Sequence, residues 1–187
     1  MVSTTPVEMV DIFDECGTKI GTVPRHHANG YITLLSQVYV INKNNELLVT
    51  LRGPTQRFPG WEFGITETIK SGERGLDAII RGMGEELGIP RAEQPSYATC
   101  FMFPYRHPDE EGGKKNIIAY GCMYDGPIVI DEIEIVRKKF LRPAQIEQGI
   151  TSGSMKFTRL NMESWWHFSR IYLNGNGGTH SDIGGRK

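Results

Sequence analysis

The opening stretch of the chain alternates short apolar runs with polar turn clusters, the pattern of paired strands. Residues 8–14 and 19–24 flank Glu15-Cys16-Gly17-Thr18, which predicts a β-hairpin turning at the glycine. A second pair, residues 35–41 and 46–51, flanks Asn42-Lys43-Asn44-Asn45, polar residues that tolerate left-handed backbone and suit a tight connection. The Gly- and Pro-punctuated residues 53–60 lead into Trp61-Glu62-Phe63-Gly64-Ile65, read as one short strand with Glu67 on the loop beyond it.

The period then changes. Leu76, Ile79, Ile80, Met83 and Leu87 fall at helical spacing, predicting a helix over residues 72–87 that buries one stripe and ends at Gly88 and Pro90. Strands over residues 97–106 and 116–124 follow, joined by the polar loop 108–113, and residues 132–136 predict one more. Residues 143–150 and 162–173 read as helices, the first with a proline near its start and the second with Asn161 as N-cap. Strands and helices alternating in this way give an α/β fold. Residues 1–173 form one domain in this reading, and the Gly-rich, polar residues 174–187 a mobile tail.

At 187 residues the chain is long enough to bury an ordinary core without staples. Its 21 basic and 22 acidic residues leave a formal charge of −1, with no basic surplus to attract nucleic acid. A small-molecule partner is the expectation, and a homodimer is left open. Cys16, Cys100 and Cys122 show no paired metal spacing, which argues against a disulfide scaffold or zinc site and for buried free thiols. Neither a signal-peptide profile nor an apolar run long enough for a membrane span is visible, so the expected compartment is the cytoplasm.

Candidate chemistry concentrates on the helix. On a helical wheel Glu85 and Glu86 lie beside the apolar stripe and share their sector with Gly75, Ala78 and Gly82, so two carboxylates project over a floor of small residues. Glycine costs roughly 1 kcal/mol against alanine inside a helix, so Gly75, Gly82 and Gly84 imply that something approaches closely. Clustered carboxylate oxygens suit a hard cation such as Mg²⁺, which a diphosphate needs for charge neutralisation. A solvated acidic face with glycines admitting a neighbouring loop is the alternative.

The spacing of these residues resembles the Nudix signature: Gly, five residues, Glu, seven residues, then Arg-Glu-apolar-x-Glu-Glu-x-Gly-apolar. Glu73, Arg81, Met83, Glu85, Glu86, Gly88 and Ile89 fall in register, after a strand and before a Gly-Ile-Pro stop. Asp14-Glu15-Cys16-Gly17, Pro24-Arg25-His26-His27 and residues 47–52 (Leu-Leu-Val-Thr-Leu-Arg) also resemble the opening strands of the isopentenyl-diphosphate-isomerase-like branch. The resemblance implies a Nudix-type α/β/α sandwich around a mixed sheet, a Mg²⁺ or Mn²⁺ cofactor and a small-molecule diphosphate ligand. The sequence departs from the signature where Glu67 replaces the initial Gly and Gly82 replaces the Glu after Arg. In family enzymes that lost Glu commonly ligates metal or assists water attack. Glu67 is therefore expected to fold over the helix, occupy the space vacated at Gly82 and join Glu85 and Glu86 as a metal ligand; in the alternative it points to solvent or pairs with a base.

Arg81 is expected to orient the carboxylates through charge-assisted hydrogen bonds, although an exposed ion pair fits as well. Arg52 and Arg57 flank a Gly-Pro loop and are candidates for holding phosphate oxygens. Phe103, Tyr105 and His107 alternate along one strand and could stack an aromatic or prenyl group, or simply form core. His26 and His27, read as strand neighbours facing opposite sides, cannot both serve one site. The isomerase branch uses a Cys ahead of the helix and a nearby metal-binding His; the matching positions here are Thr66 and Thr68, and its later acidic cluster is replaced by Lys114-Lys115-Asn116-Ile117-Ile118. Two functions remain: a Mg²⁺-dependent hydrolase of a diphosphate-linked molecule, and a catalytically weak Nudix domain that binds such a ligand as a sensor or interaction module.

Overall fold

The structure, a computed structural model, describes residues 7–54, 56–107 and 113–174. Strands β1 (Met9–Phe13) and β2 (Lys19–Pro24) form the expected hairpin. Strand β3 (Ile32–Ile41) is the spine of the sheet: β8 (Lys114–Met123) runs parallel to it over its whole length, while β6 (Ile65–Thr68) pairs with it antiparallel. β4 (Leu47–Arg52) lies between the antiparallel strands β5 (Trp61–Phe63) and β9 (Ile135–Leu141), and β7 (Tyr97–Arg106) pairs with β8. One parallel pair among antiparallel ones makes the sheet mixed.

Helices cover both faces, as the period-2 alternation of β3 requires. Val38 and Val40 face α1 (Gly75–Leu87) and pack with Ile79, Met83 and Leu87, whereas Tyr39 and Ile41 face Ile146 of α2 (Pro143–Thr151) and Trp165 and Phe168 of α3 (Arg159–Asn174). This is the α/β/α sandwich. No helix among the described residues is long and apolar enough to cross a membrane.

Several expectations change in detail. The segment from Trp61 is two strands, because Gly64 turns the chain at φ 55° with its Cα against Val38 O; a Cβ there would overlap that oxygen. Glu67 consequently sits in β6, opposite Ser36, and not on a loop. The late strand is displaced from residues 132–136 to β9. Arg25–His27 form a 3-10 turn, so the exposed His26 and His27 are not strand neighbours. Asn161 is not an N-cap but a buried residue inside α3, and its N–H points to Thr158 Oγ1. Cys122 is buried, but Cys16 is exposed. Asn174 closes α3, and residues 175–187, where the tail was expected, lie outside the described residues.

Candidate active site

Arg81 organises the carboxylates. Its Nε and Nη2 donate to the two oxygens of Glu73 at 3.0 and 3.2 Å, and its Nη1 donates to Glu67 at 3.0 Å and Glu85 at 3.3 Å. A further bond from Nη2 to Thr68 O, at 3.1 Å, ties the guanidinium to the end of β6. Glu73 also accepts from Lys70 N at 2.9 Å; burial opposes its charge, but Arg81 and this N–H hold its pKa below the ordinary value. One planar fork thus fixes three acids from three places in the chain.

Glu67 meets Gly82 as expected. The carboxylate lies against the helix backbone there, and a Cβ on Gly82 would overlap Glu67 Oε1. Gly75 admits the sheet in the same way, through Ser36 and Tyr120, so the small-residue stripe is packed and is not an open floor. Gly84 has no such close neighbour.

These groups line a polar cavity of about 280 Å³ with Glu86, Glu134, Arg52 and Arg25 among its walls. Burial, then repulsion by Glu67, Glu134 and Glu62, pushes the Glu86 pKa up to about 9. Burial raises Glu67 too, against the pull of Arg81, and raises Glu62 to about 7 despite its pair with Arg52 at 3.2 Å. Acids that inhibit one another's ionisation form the donor set a hard divalent cation would relieve, so their chemistry fits Mg²⁺ or Mn²⁺. They are not assembled as a closed cage: among the described residues no three carboxylate, imidazole or thiol groups are close enough together to hold a metal ion. Glu85 is exposed, and its carboxylate leans on Arg81.

Strand alternation makes β6 a partition. Glu67 faces α1, while Thr66 and Thr68 face a second cavity of about 460 Å³ beside the start of α3. The two cavities share Arg25, Arg52, Thr66 and Thr68 and so adjoin. Thr66 Oγ1 and Arg52 Nε are buried with no hydrogen-bond partner among the described residues. Buried polar atoms of this kind call for a ligand or water partner.

Arg57 and Tyr105 line the larger cavity as the sequence suggested. Phe103 does not: it shares their strand face but is buried with Ile117 and Leu160, its ring 4.8 Å from that of His167. Sequence reasoning passed over Glu62, Glu134, Arg25 and Lys115. Glu62 had a signal, an acid between the apolar Trp61 and Phe63 of a three-residue buried strand. Glu134 had none, since only tertiary folding brings residues 131–135 to the end of α1, where Asp131 N bonds to Glu86 O at 2.9 Å.

Residues 36–160 match the family model of the NUDIX domain. An uncharacterized Nudix hydrolase of Pseudomonas aeruginosa is 26% identical over 75% of this chain and 82% of its own length. The isopentenyl-diphosphate Delta-isomerase of Paenarthrobacter aurescens is 27% identical over 81% of this chain and 85% of its own. Among solved structures, DR0079 from Deinococcus radiodurans superposes with a TM-score of 0.67 at 17% identity, covering 81% of this chain and 93% of that one, which is a likeness of fold. With more than half of its length matched by one family model, and with the fold of that family around the Glu67–Arg81–Glu86 pocket, the chain belongs to the NUDIX family.

Proposed function

We propose that the protein is a divalent-metal-dependent hydrolase that splits a diphosphate linked to another small moiety. The observation that carries this reading is the Glu67 carboxylate lying over Gly82, which returns an acid to the place where the signature has lost one. Glu67, Glu85 and Glu86 would hold Mg²⁺ or Mn²⁺. The cation, when bound, would neutralise the diphosphate and lower the pKa of water. Arg81 holds Glu67 and Glu85 in orientation through its anchor on Glu73. Arg52 and Arg25 stand where the cavities join and are suited to phosphate oxygens, and the unpartnered Thr66 hydroxyl can donate to another. Glu134 stands outside the Arg81 network in the same cavity, and its carboxylate is suited to accept the proton of the attacking water. Isomerase chemistry is disfavoured, because Thr66 and Thr68 occupy the positions where that branch carries its Cys and His, and a hydroxyl cannot protonate a carbon centre at neutral pH.

The second reading, a binding module, is favoured by the engagement of Glu67 and Glu85 with Arg81. A screen of nucleotide sugars, dinucleotides, ADP-ribose and prenyl diphosphates with Mg²⁺ or Mn²⁺, scored for turnover and for thermal shift, separates the two. Turnover of at least one compound, lowered on the order of 10²-fold or more by Glu67→Gln and by Glu86→Gln, is expected. Thermal shift without turnover would assign the binding module, and equal calorimetric affinity of wild type and Glu86→Gln for the cation would remove the metal assignment.

A further inference from the structure

The larger cavity has a cationic floor whose charge the diphosphate site does not use. In the sheet, Thr33 of β3, Lys115 of β8 and Tyr105 of β7 are register partners, so their side chains form one row on the same face. That row lies in the cavity wall together with Arg25 and Arg57. The neighbouring lysine shows the usual alternative. Lys114, on the opposite face of β8, pairs with Glu15 at 2.6 Å, as does Arg106 at 3.3 Å. Lys115 instead donates to the buried hydroxyl of Thr33 at 2.7 Å, and no carboxylate among the described residues pairs with it. Burial, then repulsion by Arg25 and Arg57, brings its pKa down to about 8, the mark of cations gathered without a counter-charge.

We propose that the larger cavity is a second anion subsite, in which Lys115, Arg57 and the Thr33 hydroxyl take a phosphate monoester carried by the substrate on the moiety remote from its diphosphate. The preferred substrate class is then a diphosphate with a further terminal phosphate, rather than the same molecule ending in a neutral group. This deepens the hydrolase reading and rests on it only for the placement of the diphosphate in the adjoining acidic cavity. The geometry agrees: the two cavities meet at Arg52, Thr66 and Thr68, and about 460 Å³ accommodates a nucleoside-sized group between the two anions.

The test uses the full chain and matched pairs that differ by one phosphate: NADP⁺ against NAD⁺ and coenzyme A against dephospho-coenzyme A. Affinities are measured by calorimetry in EDTA for wild type, Lys115→Gln and Lys115→Arg. In at least one pair the phosphorylated member is expected to bind roughly 10-fold more tightly to wild type, with the preference lost in Lys115→Gln and kept in Lys115→Arg. Lys115→Arg keeps the charge on β8 and so separates loss of charge from loss of strand packing. Equal affinity within both pairs, including no binding of either member, overturns the proposal, as does a preference that survives in Lys115→Gln. Inorganic phosphate is titrated alone; if it binds wild type and not Lys115→Gln while neither pair is discriminated, the subsite serves free phosphate and the substrate-borne claim falls. Turnover of the same compounds with Mg²⁺ is scored separately: discrimination without hydrolysis keeps the subsite and removes the hydrolase reading, and hydrolysis without discrimination does the reverse.

Discussion

A Cβ on Gly82 would overlap Glu67 Oε1 and come within 2.7 Å of Ile65 Cδ1, a fully buried side chain. The usual gain of roughly 1 kcal/mol for replacing a helical glycine by alanine is therefore offset by displacement of both neighbours. Gly82→Ala is expected to melt no higher than wild type and to lose affinity for Mg²⁺, because the carboxylate must leave the helix surface. A clear rise in melting temperature with unchanged calorimetric metal binding would show that Glu67 has no need of that space. The exchange variant, Glu67→Gly with Gly82→Glu, restores the usual signature and moves the acid from strand to helix. If both positions serve one pocket, the pair should recover part of the activity each single change loses, since neighbours in one network act non-additively. Simple addition of the two losses would sink the shared-pocket idea.

Helix α3 is held to the sheet by one polar knot within the aromatic core around Tyr39, Phe63 and Trp165. Asn161 Oδ1 accepts from Gln37 Nε2 at 2.6 Å and from Phe63 N at 2.9 Å, while its Nδ2 donates to Thr158 Oγ1 at 2.9 Å. Asn161→Ala strands a buried backbone N–H and a buried amide, at a cost of about 1–3 kcal/mol for each group left unpaired. Urea unfolding should show a loss of about 3 kcal/mol, and a loss below ~0.5 kcal/mol would mean that the knot carries little of the attachment. None of this was legible in the chain, where Asn161 reads as a cap because its three partners are distant or conformational. β9 was misplaced for a related reason. It is an edge strand with exposed residues from Val136 to Lys139, so it lacks the period of two that betrays a half-buried strand. What was legible is what is local: β3, β4 and α1 each announce themselves by their own apolar period, and Arg81, Glu85 and Glu86 follow from spacing on a single helix. Glu134, Glu62 and Lys115 enter the cavities only through strand pairing and loop return, contacts that a linear pattern does not encode.

Across the whole molecule the acids of the site oppose folding more strongly as they ionise. Glu62, with its pKa near 7, and Glu86, near 9, both lie well above the ordinary carboxylate value, for burial first and mutual repulsion second. A carboxyl whose folded pKa is raised contributes stability that is complete below its unfolded pKa, about 4.3, and is lost as pH climbs through the folded value. Two other groups mark the limits of the window. Asp11 is lowered to about 2 by Lys19, Ser71 and Thr22 against a desolvation cost, so its contribution is lost only in acid, below about pH 4. Lys115, lowered to about 8, has the opposite sign to the acids and adds stability only as pH rises beyond that value. Between about pH 5 and pH 8 the carboxylates dominate. In EDTA the melting temperature should accordingly fall over that interval, by roughly 5 °C or more for a chain of this size. Saturating Mg²⁺ should flatten the slope by binding the ionised acids, and Glu86→Gln should flatten it without metal because one titrating group is gone. Scanning calorimetry across the interval decides the matter: a flat profile in EDTA, or a slope unaltered by both Mg²⁺ and Glu86→Gln, would mean that the acids of this pocket do not repel one another in solution and that a cation has nothing there to relieve.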